Sequence, residues 1–162
     1  MENNFLTGQL VRHIREMHFG NNFTGPCLKS LLEGVDCKLA NTRVHDLNTI
    51  ADLVFHIHYY VRAVIKVLEG GPLDASDKYS YDRDPIENEA QWQAMLDEVW
   101  QNAERLASLV ENMKDADLYE AFIDGKYGSV FRNIHGLLEH SHYHLGQIAL
   151  IGKMVGNRAS GN

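Results

Sequence analysis

The chain has little cysteine, no long apolar run and no run of basic residues. Its two cysteines, Cys27 and Cys37, have a spacing that matches no zinc-ligand pattern. In a reducing compartment they are expected to be free, buried thiols. No stretch approaches the roughly 20 apolar residues that a membrane span needs. The first residues, MENNFLTGQL, have neither the basic region nor the apolar region of a signal peptide, so the cytoplasm is the expected compartment. The formal net charge is −7. An acidic chain with no basic cluster is a poor match for polyanions, so neither nucleic acid nor an anionic membrane surface is expected as a partner. No segment sustains the period-two alternation of a strand.

What remains is ordinary for a folded protein. The hydrophobic fraction is 44 % and the charged fraction 23 %, which removes disorder as the default. At 162 residues the chain suits one domain with a real core. That domain is expected over 1–156, with 157–162 as a frayed tail.

Helical periodicity and end signals predict four long helices. The first covers about 3–18, with Leu6, Leu10, His13, Ile14 and Met17 on one stripe, and Gly20-Asn21-Asn22 ends it. A short extra helix follows, starting at Thr24-Gly25-Pro26, including Leu31 and Leu32 and stopped by Gly34. Thr49 and Asp52 make a capping box for the second long helix, which Gly70-Gly71-Pro72 terminates after Glu69. Residues 70–84 are polar and turn-rich and are expected to be a loop. Asp84-Pro85-Ile86-Glu87 has the signature of an N-cap followed by proline at the first helical position. The third helix is therefore predicted from there to about Met113, with Trp92, Leu96, Val99, Ala103, Leu106 and Val110 inward. After a short connection over 114–128, the fourth runs from about Ser129 to Val155, ended by Gly156-Asn157. Long helices with mostly short connections imply an all-α four-helix bundle.

The unusual feature is nine histidines, clustered rather than scattered. His56 and His58 share the second long helix; His135, His140, His142 and His144 share the fourth. At about 100° per residue, His140 and His144 lie within about 40° of each other, on the face of Leu137, Ile148 and Ile151 that must meet the core. Imidazoles at i and i+4 stack, so their nitrogens can converge on one ion. His135 and His142 fall on the far side. A third ligand must come from another helix. His56 and His58 are about 200° apart, so only one can point inward. Periodicity prefers His58, nearer the Ile50, Val54, Ile57 and Val61 stripe. His13 is a further candidate. Gln147 and Asp52 are in register to orient the rings as hydrogen-bond acceptors, and Glu139 is expected to be a solvated charge.

These residues resemble a known family. His140 and His144, followed by Leu145-Gly146-Gln147-Ile148, are similar to the HxxxH-x-G-Q-I ending of the DinB/YfiT-like metalloenzyme proteins. The run Thr49-Ile50-Ala51-Asp52-Leu53-Val54-Phe55-His56-Ile57 resembles the same family's apolar turn closing in histidine and a branched aliphatic residue. The resemblance implies an up-down-down-up four-helix bundle, often dimeric, with a three-histidine metal site at His56, His140 and His144. It thus favours His56 over His58. Members often carry arginine just before the Gly-Gln pair, where this chain has Leu145.

Three imidazoles leave a bound ion its full charge and at least one open position, the layout of a catalytic site. Imidazole nitrogen suits zinc, nickel, iron or copper and does not choose among them. The expected function is that of a metal-dependent enzyme on a small molecule, of the thiol-dependent transferase or the hydrolase type, with a low-molecular-weight thiol as a possible substrate. The alternative is a metal-binding stress-response protein without turnover, or a dimer whose metal is structural. Off-face Phe55, Tyr59, His135 and His142 add apolar surface that suggests a homodimer.

Overall fold

The computed structural model describes residues 5–159, with side chains as far as residue 156. Six helices follow one another: α1 (Phe5–Phe19), α2 (Leu28–Leu32), α3 (Cys37–Ala40), α4 (Ile50–Leu68), α5 (Glu89–Glu111) and α6 (Val130–Ala159). Single 3-10 turns lie at Asp77–Tyr79 and Asp115–Tyr119. Among the described residues there is no strand, only an isolated antiparallel bridge between Ala121 and Ser129. The all-helical expectation holds. Neither α3 nor the two 3-10 turns was expected.

The helix ends follow from local chemistry. Thr49 and Asp52 form the predicted capping box: the Asp52 N–H donates to Thr49 Oγ1 (3.1 Å) and the Thr49 N–H to Asp52 Oδ2 (3.0 Å). Gly70, at φ 85°, turns the chain away after α4. The start of α1 is capped from far along the sequence. The Asp115 carboxylate accepts from the N–H groups of Leu6 (3.0 Å) and Thr7 (2.8 Å).

Three boundaries differ from the sequence reading. The short helix expected to start at Thr24-Gly25-Pro26 begins at Leu28, with Cys27 as N-cap accepting from the Ser30 N–H. The helix predicted from Asp84-Pro85 begins instead at Glu89, with Asn88 as N-cap accepting from the Gln91 N–H at 3.0 Å. The backbone before it is engaged elsewhere: the Ile86 carbonyl accepts from Asn41 Nδ2 (3.0 Å), and the Glu87 N–H donates to Gln91 Oε1 (2.6 Å). Nor does α6 stop at Gly156-Asn157; its backbone continues to Ala159. A glycine ends a helix where it turns left-handed, and Gly156 does not. Of the tail expected over 157–162, residues 160–162 lie outside the described residues.

The long helices pack so that α1 and α4 each lie against both α5 and α6. Between them sit Ile14, Met17, Leu53, Ile57, Trp92, Leu106, Ile134 and Ile148, all essentially inaccessible. Trp92 donates its indole N–H to the Val35 carbonyl at 2.8 Å, which fastens the connection between α2 and α3 to α5.

Two histidines are buried in this interior without joining the cluster described below. The α1 stripe was expected to include His13, but His13 is exposed and His18 is buried. Its Nδ1–H donates to the Ile14 carbonyl one turn back (2.8 Å). His58 is buried too and accepts from Asn102 Nδ2 on α5 at 2.9 Å. Burial pushes both imidazoles down, each to about 4. The folded value lies below the unfolded value of about 6.5, so the unfolded chain binds more protons between the two. Stability is therefore full above about pH 6.5 and falls as the pH drops toward 4, by about 1.4 kcal/mol per pH unit for each histidine. Urea denaturation of chelator-treated protein between pH 7.5 and 5 should show this decline, less steeply in His18→Leu. An unchanged slope in the variant would show that His18 is not held neutral by burial.

Candidate metal centre

Helices α4 and α6 lie side by side, and the facing positions are His56 on α4 and His140 with His144 on α6. Their rings meet. His140 Nε2 lies 3.0 Å from His56 Nε2 and 3.0 Å from His144 Nε2. His56 and His144 are buried and His140 is half-buried. The three could hold a metal ion, and among the described residues no other such group of histidine, cysteine and carboxylate side chains occurs.

The far sides of two rings fix what the near sides offer. His56 Nδ1 lies 3.2 Å from the Ser80 carbonyl, and His144 Nδ1 lies 2.7 Å from Gln147 Oε1. Carbonyl oxygens only accept, so both Nδ1 atoms carry the proton and both Nε2 atoms present lone pairs. Those lone pairs aim at His140 Nε2. A proton there could serve only one of them, leaving the other lone pair without a donor. A shared cation satisfies all three. Nitrogens bound at about 2.0–2.1 Å to one tetrahedral ion stand roughly 3.3 Å apart, close to the separations seen.

The environment keeps these imidazoles neutral. Burial is the largest influence on each and lowers all three; His140, which also faces His144 and His56, is pushed down to about 4. The Ser80 carbonyl and the nearby Asp77 charge partly offset the lowering at His56, and Gln147 does so at His144. Neutral imidazole is the ligating form.

Aromatic rings wall the group. Tyr81 stacks on His56 (centroids 4.1 Å apart, planes 9°), and Tyr143 meets His144 edge-on at 4.9 Å. Tyr60, one turn beyond His56, stands edge-on to both His56 (5.1 Å) and His140 (5.0 Å). Burial and the neighbouring Asp77 push the Tyr60 phenol up to about 12, so it stays protonated. His56 and His140 open onto a cleft of ≈ 1010 Å³ whose other walls include Leu73, Phe122, Tyr127 and Phe131.

The structure separates the sequence candidates. His58 points to Asn102 on α5, and His13 is exposed, so neither joins the cluster. Of the two expected acceptors, Gln147 does orient His144, but Asp52 does not touch a ring. Besides capping α4, it is paired with Arg83 (2.9 Å) and Arg43 (3.4 Å). His142 donates its Nδ1–H to the Leu138 carbonyl (2.8 Å), and exposed His135 lies 3.6 Å from Glu139. Glu139 is exposed, as expected, although it lines the cleft. Leu145, where an arginine was anticipated, is 2 % exposed and belongs to the core. The second thiol also differs: Cys27 is buried, but Cys37 is only half-buried. Sequence reasoning missed residues 76–81, which supply Ser80, Tyr81 and Asp77. Their loop-like composition gave no sign of packing on His56.

Comparison with known proteins places the cluster in a wider context. A family model described as the DinB superfamily matches residues 28–148, a span holding all three histidines, Gln147 and Ser80. No curated protein and no solved structure matches the chain.

Titration of the purified chain with zinc or cobalt(II) should show one tight site. His140→Ala and His144→Ala should abolish it, whereas His58→Ala and His13→Ala should retain it. Gln147→Ala should weaken affinity by roughly 10–100-fold, because the acceptor that fixes the His144 ring is lost. Loss of the tight site in His58→Ala, with His56→Ala unaffected, would overturn this assignment.

Proposed function

This chain belongs to the DinB superfamily, and on that premise we propose that it is a metal-dependent enzyme acting on a small molecule, of the thiol-dependent transferase or the hydrolase type. His56, His140 and His144 are its three ligands. The observation that carries this reading is the convergence of three Nε2 atoms beside an open cleft that His56 and His140 line. A divalent zinc, nickel or iron ion there would act as a Lewis acid with an open position, able to acidify a thiol or water or to polarise a carbonyl. The chain's own residues do the rest. Ser80 and Gln147 hold two rings in the ligating tautomer, and Tyr81 and Tyr143 cover the outer faces of His56 and His144. Leu73, Phe122 and Phe131 give the cleft an apolar stretch of wall. A purely structural ion would be better served by four protein ligands and no adjoining cleft.

The same reading takes the helices as one up-down-down-up bundle domain that works in the cytoplasm as a homodimer. Exposed Tyr143, Leu150 and Met154 on α6 add to the apolar surface expected around Phe55 and Tyr59. Light scattering at micromolar concentration should give about twice the chain mass; a value near 18.4 kDa would exclude the dimer.

The metal reading is tested by thermal melting at pH 7.5 and pH 4, with and without chelator. Each ligand must be neutral, so metal competes with protons. All three folded values are lowered from about 6.5, so metal-linked stability is present above about pH 6.5 and is lost as pH falls through the lowered values. Chelation should lower Tm strongly at pH 7.5, much less at pH 4, where His140 begins to protonate, and hardly at all in His144→Ala. The apolar core should keep the chelated chain folded. An equal chelator effect at both pH values would sink the assignment. Turnover is then sought by supplying low-molecular-weight thiols with an electrophilic substrate.

A further inference from the structure

Asp77 is a charge that the fold places beside the imidazoles and that holding an ion does not require. It opens the 3-10 turn Asp77–Tyr79, between two anchored residues. On one side the Ser76 N–H donates to the Tyr59 hydroxyl (2.8 Å), and that hydroxyl donates back to the Ser76 carbonyl (3.1 Å). On the other, the Ser80 carbonyl accepts from His56. The Asp77 carboxylate itself accepts a short hydrogen bond from the Tyr60 hydroxyl. Tyr60 in turn rests edge-on against His56 and His140. Asp77, Tyr60, His56 and His140 line the same cleft.

The cations near this end are occupied or distant, and Lys78 lies over the Tyr79 ring, 5.1 Å from its centroid, outside the cleft lining. Asp52 is paired with Arg83 and Arg43. Glu139, exposed and 3.6 Å from His135, is a second carboxylate on the cleft wall and adds to its negative charge. Arg132, the cleft's arginine, stands eight residues before His140 on α6, roughly 12 Å along the helix. The cleft beside the imidazoles is therefore negative. The Asp77 carboxylate has lone pairs to spare, since Tyr60 uses one of about four acceptor sites.

We propose that Asp77, positioned by Tyr60, selects the substrate: a small aminothiol whose sulfur goes to the ion held by the three histidines and whose ammonium pairs with Asp77. This rests on the thiol-dependent reading above and narrows it. On binding, the thiol releases its proton to solvent and the sulfur donates a lone pair; nothing is oxidised or reduced. A thiol that carries a carboxylate at the same distance is repelled by Asp77 instead.

The test uses the full chain loaded with cobalt(II) and follows the sulfur-to-cobalt charge-transfer absorption. Three probes share one skeleton: cysteamine, 2-mercaptoethanol and 3-mercaptopropionate. An ammonium also acidifies its own thiol, so the diagnostic is not the preference itself but its change on Asp77→Asn. That variant keeps an acceptor for the Tyr60 hydroxyl and removes only the charge. The ratio of cysteamine to 3-mercaptopropionate affinity should fall about ten-fold, from about three-fold lost attraction and about three-fold lost repulsion at an exposed carboxylate. Tyr60→Phe, which leaves the charge but frees the side chain, should lower the ratio by less. An unchanged ratio in Asp77→Asn, with or without a lower Tm, would overturn the proposal and leave Asp77 as a fastening for its turn. Cobalt binding with no charge-transfer band from any of the three thiols would instead overturn the thiol-dependent reading, and this proposal with it.

Discussion

A neutral imidazole has one proton and two nitrogens, and where the proton goes decides what the other nitrogen can do. The centre of this protein is built on that constraint. At His56 and His144 the proton is drawn to Nδ1 by a carbonyl-type oxygen, from Ser80 and from Gln147. The Nε2 lone pairs are then forced into the same small space, against His140. Burial prevents the alternative, in which one ring takes a second proton and bridges its neighbours, because charging an imidazole there is costly. The remaining way to satisfy three converging lone pairs is a cation.

Placing the lone pairs depends on the bundle. The helical repeat supplies two of them, since His140 and His144 stack one turn apart. The third requires α4 to stay at a fixed height against α6. Residues adjoining the three histidines set that height. Ile57 and Val61 beside His56, and Leu145 and Ile148 beyond His144, are nearly inaccessible. In a close-packed interior a slip of one residue would move these side chains as well as the ligands, so core packing and ligand register are one constraint. Leu145 fits this account. A charged side chain at so buried a position would be expensive.

Much of this was legible in the sequence. The helical periods, the Thr49–Asp52 capping box, the glycines after α1 and α4 and the His140–His144 pair are all local patterns, and local patterns survive in sequence. Gln147 was legible too, because it reaches its partner three residues away on the same helix. What was not legible depends on contacts across the fold. The start of α5 moved because Asn41, distant in sequence, claims the Ile86 carbonyl. Asp115 caps a helix more than a hundred residues earlier. Asp52 is in register to orient a histidine, but Arg83 and Arg43 hold it elsewhere. Such partners leave no periodic trace.

The choice between His56 and His58 shows a more general limit. Periodicity finds the face of a helix that meets the core, and His58 does lie on it, buried against Asn102. A ligand with access to a substrate belongs elsewhere, at the border between core and cleft. On α4 that border is covered not by another helix but by residues 74–81. They are attached through Lys66 to Asp74 (2.6 Å), Tyr59 to Ser76, Tyr60 to Asp77 and His56 to Ser80. All four anchors on α4 lie on the side this segment covers, and three of them, His56, Tyr59 and Tyr60, follow helical spacing. A polar stripe carries that spacing as clearly as an apolar one. It identifies nothing alone, because its partners have loop-like composition. A hydrophobic stripe reports burial in the core, and it is therefore biased against the residues that an open metal site must use.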